Sequence, residues 1–285
     1  MDAVRIGFFV ISAPRLYAAI GLLLLVLVAE LGAWGRRRRA SPPNGSSVSG
    51  AGTDATWAWN ALFAVIIGAR LGFVLQNLGY YATEPLQALA FWQGGFAPWW
   101  GVAAGAVVAV VSLRRRREPL GVTVLPVALA LGAWLIVPPL LSPAGGPPVA
   151  FPSGVLERLE GEEFDLGAGT GRPTVVNVWA SWCIPCRREM PQLARAAQEN
   201  PDVLILYVNQ GESPEKVAAF LSDFPNVDTG NVLLDSNQRV GNELRSVGLP
   251  STYFFDANGD HVKTHVGEIS GPALTRELRA LADAR

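Results

Sequence analysis

Thr174–Pro191 reads TVVNVWASWCIPCRREMP. The first six residues are β-branched or aromatic except Asn177, which is the composition of a buried central strand. Cys183–Gln198 follows with helical character and is expected to be interrupted at Pro191. A strand that ends at Trp182 and a helix that opens at Cys183 place the first thiol at a helix N-terminus. Unpaired backbone N–H groups and the positive end of the helix dipole stabilise a thiolate there. Cys186 lies one turn further in and is expected to be the resolving thiol. Cys183 and Cys186 are the only cysteines of the 285-residue chain. One pair is too few for a disulfide framework, and a zinc site needs four ligands. A purely stabilising role is a poor explanation, because closing so short a loop removes little chain entropy.

Working outward, Ser142–Ser153 is a Pro/Gly-rich tether. Glu157–Asp165 is polar and acidic and reads as a strand and loop. Val203–Asn209 is a second buried strand. Ser213–Phe224 is a helix with Ser213 as N-cap and Pro214 at its first position. Val232–Leu234 is a short strand and Gln238–Val247 a short helix. Thr252–Asp256 and His261–Val266 flank Asn258-Gly259, a hairpin signal. His261 and His265, the only histidines, are read as part of a solvated strand face. Pro272–Ala284 is the last helix.

The amino-terminal half differs in kind. Half of the chain is apolar and 16% is charged. Residues 1–150 hold eleven basic and five acidic side chains, net +6; residues 151–285 hold twelve and nineteen, net −7. An acidic soluble half argues against nucleic acid as a partner. Leu16–Trp34, Trp57–Asn77, Phe96–Leu113 and Leu120–Leu141 are apolar over the roughly 17–25 residues that cross a bilayer. Arg36–Arg39 and Arg114–Arg117 flank these spans, and with four spans both runs fall on the cytoplasmic side. The N-terminus and everything after Leu141 are then extracytoplasmic. Arg70 is a charge inside a span, near its outer end. It is read either as snorkelling to the interface or as a lipid-binding residue.

Two resemblances bear on these readings. Residues 177–191, with Gly248-Leu249-Pro250-Ser251-Thr252, resemble the TlpA/ResA type of membrane-anchored thiol–disulfide oxidoreductase. The resemblance implies a thioredoxin-like α/β fold over residues 154–285 and no cofactor. It implies that Pro250 is cis and faces the cysteines, so that the backbone at Leu249 pairs with substrate. Trp182 and Pro185 are then part of the docking surface. It also implies protein disulfide substrates, and a separate membrane thiol donor, since the membrane half contains no cysteine. The family commonly serves cytochrome c maturation. Where thioredoxin has an aspartate, this chain has Asn177, and Glu189, a turn beyond Cys186, is expected to accept its proton.

Gly68-Ala69-Arg70-Leu71-Gly72-Phe73-Val74-Leu75, Trp92-Gln93-Gly94-Gly95-Phe96 and Pro14-Arg15-Leu16-Tyr17 resemble the prolipoprotein diacylglyceryl transferase family. That family's functional histidine falls at Trp99, and its Gly-Arg-x-Gly-Asn signature is missing. Tryptophan cannot exchange a proton as imidazole does. Residues 1–141 are therefore expected to be a partial, degenerate relative serving as a helical membrane anchor of about four spans. The resulting expectation is an extracytoplasmic disulfide reductase of the bacterial inner membrane, with residues 142–153 as linker. The alternatives are an oxidase or isomerase using the same cysteines, or a lipid-binding membrane protein with an accessory redox domain.

Overall fold

The computed structural model describes residues 3–6, 9–40, 56–116, 149–169 and 171–283. The chain forms two compact units. Residues 145–285 with segments 1–13 and 92–94 make one, and residues 14–91 and 95–144 the other.

At the amino terminus β1 (Ala3–Ile6) and β2 (Phe9–Ser12) pair antiparallel, Ala3 opposite Ser12. The helical unit contains α1 (Ala13–Ala40), α2 (Thr56–Gln76), the short α3 (Leu78–Thr83) and α4 (Pro98–Arg116). Leu16–Gly35 and Thr56–Gln76 are long and apolar enough to cross a membrane, while the apolar part of α4, Pro98–Ser112, is shorter. The structure thus has two candidate spans among the described residues, where the sequence suggested four. The fourth expected span, Leu120–Leu141, lies outside the described residues.

Glycine decides how α2 meets α4. Gly68 and Gly72 on α2 and Gly101 and Gly105 on α4 each follow a four-residue spacing that lets backbones approach closely. A Cβ on Gly68 would lie 2.5 Å from the Ala104 Cβ, and one on Gly101 2.7 Å from the Val65 carbonyl oxygen. Neither neighbour is a flexible chain end, so Gly101→Leu is expected to force the helices apart. The cost is of the order of 1–3 kcal/mol, typical of overpacking. A lower thermal midpoint of the helical unit in detergent checks this; an unchanged midpoint would refute the close packing.

The other unit is a seven-stranded sheet in the order β4-β3-β7-β6-β5-β8-β9. Its strands are β3 (Val155–Arg158), β4 (Glu163–Asp165), β5 (Thr174–Trp179), β6 (Leu204–Gln210), β7 (Val232–Asp235), β8 (Ser251–Phe255) and β9 (His261–Val266). β5, β6 and β7 are parallel neighbours; β8 and β9 continue antiparallel from β5. Side-chain alternation builds two cores. Val175, Trp179, Ile205, Tyr207 and Phe254 face α5 (Ile184–Glu199), α6 (Pro214–Leu221) and α8 (Gly271–Asp283). Val176, Val178, Leu206, Val208 and Tyr253 face the opposite side, covered by Val240 and Leu244 on and beyond α7 (Arg239–Glu243). This is a three-layer, thioredoxin-like α/β arrangement.

Two local expectations are corrected. Pro191 does not interrupt α5, which runs through it. Arg187, Pro191 and Arg195 share the exposed face at four-residue spacing, so the carbonyl that loses its partner faces water, while Met190, Leu193 and Ala194 are buried beneath. Ser213 takes the N-cap position of α6 without a side-chain cap bond; Pro214 at the first position supplies the pre-set backbone angle instead.

Candidate functional site

Cys183 and Cys186 are disulfide-bonded, with Cα atoms 5.2 Å apart. Cys183 is the N-cap of α5, and its Sγ accepts the Cys186 N–H at 3.3 Å. The sulfur therefore takes up one of the N–H groups that a helix start leaves unpaired. Cys186 is fully buried in the core cluster. The flanking residues differ sharply from that core: Trp182 is 68% and Ile184 65% exposed, and Pro185 is half-buried between them and Cys186. Trp179, three residues before Trp182, is fully buried against Phe220 at 5.2 Å between ring centroids.

The Leu249–Pro250 bond is cis. Pro250 is buried, and half-buried Leu249 packs against the cluster that contains both cysteines. The Pro250 carbonyl accepts the Gly267 N–H at 2.8 Å. Thus the structure brings Cys183, Cys186, Trp182, Pro185, Leu249 and Pro250 into one unit. Arg70 belongs to the other.

The same unit holds a buried polar cluster of Asn177, Glu189 and Thr252. Strand parity puts Asn177 on the α5 side of β5, between Val175 and Trp179. Its Nδ2 donates to Glu189 Oε1 at 2.9 Å and to Thr252 Oγ1 at 3.0 Å. Thr252 is the β8 residue directly opposite Asn177. The second Glu189 oxygen accepts the Ile269 N–H at 3.2 Å. Glu189 is fully buried. Burial, against hydrogen bonds from Asn177 and Ile269, pushes its carboxyl up to about 8. That is close to the ordinary value of a thiol, about 8.5. Asn177 therefore links the helix that carries the cysteines to the strand that follows Pro250.

Sequence reasoning missed a second carboxylate. Glu212 follows β6 and accepts the Ser181 N–H and Oγ–H, both at 2.6 Å, and Asn209 Nδ2 at 2.8 Å. Burial opposes its charge, but the donors from Ser181 and Asn209 outweigh this and hold the carboxyl below its ordinary value. Glu212 so fixes the turn two residues before Cys183. No local pattern points to its contact with the turn before the cysteines, since Ser181 lies 31 residues away. Glu212→Ala leaves the Ser181 N–H and the Asn209 amide without their acceptor, and should cost about 1–3 kcal/mol. A fall in the urea midpoint of the redox unit checks this; an unchanged midpoint would refute it. Glu268 was missed likewise: Arg188 donates Nε and Nη2 to its Oε2 at 2.8 and 2.6 Å.

The histidines are less open than expected. His261 Nε2 lies 2.8 Å from Thr264 Oγ1, and its ring sits edge-on to Phe255 at 5.7 Å. His265 Nε2 lies 3.3 Å from the Glu268 carbonyl. Both are partly buried. Arg70 also departs from the snorkelling expectation. It is 3% exposed, and its guanidinium points to backbone carbonyls of the helical unit.

Comparison with known proteins agrees with this geometry. Residues 146–280 match the Redoxin family model, and residues 3–136 match that of prolipoprotein diacylglyceryl transferase. The chain is 31% identical over 132 residues to the thiol-disulfide oxidoreductase ResA of Geobacillus kaustophilus, covering 46% of this chain and 75% of that protein. It is 33% identical over 131 residues to the thiol:disulfide interchange protein DsbE of Pseudomonas fluorescens, covering 46% and 72%. Among solved structures, Mycobacterium tuberculosis DsbF is similar at 27% identity, covering 45% of this chain and 95% of that one, with a TM-score of 0.43. A chain whose carboxy-terminal half sets a Cys-x-x-C pair at the start of a helix, and matches these relatives over most of their length, belongs to the ResA/DsbE family of thiol–disulfide oxidoreductases.

Proposed function

We propose that this oxidoreductase works as a membrane-anchored, extracytoplasmic disulfide reductase. The observation that carries the reading is the pairing of an N-cap thiol, Cys183, with a buried thiol, Cys186, and a buried carboxyl, Glu189, three residues further along the same helix. In the oxidised state near neutral pH, Glu189 holds a proton, because its carboxyl titrates at about 8. A donor dithiol attacks the Cys183–Cys186 disulfide and is itself oxidised. As the bond opens, Glu189 passes its proton to the Cys186 sulfur and becomes a carboxylate. The Cys183 thiolate, stabilised by the helix start, then attacks a target disulfide and forms a mixed disulfide, releasing one target thiolate. Glu189 takes the Cys186 proton back. The Cys186 thiolate attacks Cys183 Sγ, the second target thiolate leaves, and the disulfide is restored. Two electrons pass from donor to target and the enzyme returns to its starting state.

Trp182 and Pro185, with the backbone at Leu249 before cis Pro250, form the surface that receives the target. Two long apolar helices and the diacylglyceryl transferase match support a membrane anchor. α1 and α4 both run into arginine runs at their C-terminal ends, which supports a common cytoplasmic side. With a fourth span after α4, the redox unit is outside. Electrons then come from a separate membrane thiol donor.

The test is the steady-state redox form in growing cells, read by acid quenching and thiol alkylation. A reductase fed by a donor is held mainly as the dithiol. A pair found mainly as the disulfide would favour an oxidase.

A further inference from the structure

In the helical unit residues 77–91 and 95–97 lie between α2 and α4 and contain one charged side chain, Glu84. Arg70 folds this segment onto α2. It donates from Nε to the Ala88 carbonyl at 2.9 Å, from Nη2 to Gln87 at 2.7 Å and from Nη1 to Gly95 at 3.0 Å. Gly95 has φ +73°, and a Cβ there would lie 2.5 Å from Phe73 and 3.0 Å from Arg70 Nη1. The close approach therefore requires glycine.

With the charge turned inward, the large side chains left outside are apolar. Leu86 is 82%, Leu89 65%, Phe91 43% and Trp99 77% exposed. Leu86 and Leu89 are three apart in the 3-10 turn Pro85–Leu89 and so lie on one face. An exposed apolar group of this kind needs a cover.

We propose that this segment is a lipid-docking surface. It lies in the headgroup–acyl boundary of the leaflet opposite the arginine-flanked helix ends. The proposal rests on the reading that α2 and α4 cross the membrane. Three observations choose lipid over a protein cover. α2, which leads into the segment, also exposes apolar side chains, Phe63 at 55%, Leu71 at 56% and Leu75 at 55%, and Leu78 just beyond it is 58% exposed. Tryptophan at the start of α4 suits an interface. The apolar part of α4, Pro98–Ser112, spans only about 22 Å at helical rise, short of the roughly 30 Å hydrocarbon core. The Arg70-held segment supplies apolar surface at the end where α4 stops.

The test uses the full chain with Cys183→Ser and Cys186→Ser, in vesicles of phosphatidylethanolamine and phosphatidylglycerol. Nitroxide labels are placed in turn at Leu86→Cys, at Phe63→Cys in mid-α2, and at exposed Glu163→Cys in the redox unit. Collision with oxygen, which partitions into lipid, is compared with collision with a water-soluble nickel chelate. The expected result is lipid-like accessibility at 63 and 86 and aqueous accessibility at 163. Arg70→Gln should then move the label at 86 toward the aqueous value. Aqueous accessibility at 86 with lipid-like accessibility at 63 would overturn the proposal and leave the anchor intact. Aqueous accessibility at both would overturn the anchor, and the proposal with it. A label at 86 shielded from both reagents would mean a protein cover and would also overturn it.

Discussion

Cys186→Ser is expected to abolish turnover while trapping Cys183 in a mixed disulfide with its target. Cys183 sits at the helix start, where its sulfur accepts the Cys186 N–H, so it retains the stabilised thiolate when Cys186 is lost. The variant can attack but cannot resolve. Reduction of a protein disulfide should fall to the uncatalysed rate, and a covalent adduct should appear on a non-reducing gel and vanish with dithiothreitol. Cys183→Ser should lose both turnover and adduct. Equal trapping by the two variants would contradict the division of labour between the thiols.

The second large effect belongs to Glu189→Gln. The glutamine keeps the acceptor for Asn177 but cannot exchange a proton. The expected loss is about a hundredfold in turnover near neutral pH, the low end of what positioned proton transfer contributes. The rate should recover as pH rises and Cys186 ionises unaided. The same substitution should alter stability. Burial pushes the folded carboxyl up to about 8, above its ordinary value of 4.5. A raised carboxyl means that the folded state holds a proton which the unfolded chain has released. Its contribution is fully present below 4.5 and is lost as pH rises toward about 8. Within that window stability falls by up to about 1.4 kcal/mol per pH unit. Glu189→Gln should flatten this slope in urea unfolding of the oxidised protein. An unchanged pH–rate profile together with an unchanged slope would exclude Glu189 from proton transfer.

The redox half was legible because its signals are local. β-branched Thr174–Trp179 buries itself as a strand, and helix start and thiol coincide at Cys183. The Asn258-Gly259 turn places β8 and β9. The burial of Glu189 was not legible, since Arg187 and Arg188 beside it are exposed and only helix geometry turns Glu189 inward. Glu212 and Glu268 escaped notice because their partners, Ser181 and Arg188, are distant in sequence. Pro191 suggested a break that packing on the far side of α5 overrides. In the helical half, hydropathy located α1 and α2 but gave no sign that Arg70 turns inward. That depends on three carbonyls of a loop up to 25 residues away.

The measurement that tests the central claim most directly is the reduction potential of the Cys183–Cys186 pair in the full chain, equilibrated against glutathione and dithiothreitol buffers. A dedicated reductase is expected at or below about −230 mV, toward the thioredoxin end of the scale. A value near about −120 mV, that of a strong oxidant, would mean that the pair delivers disulfides and would contradict the account.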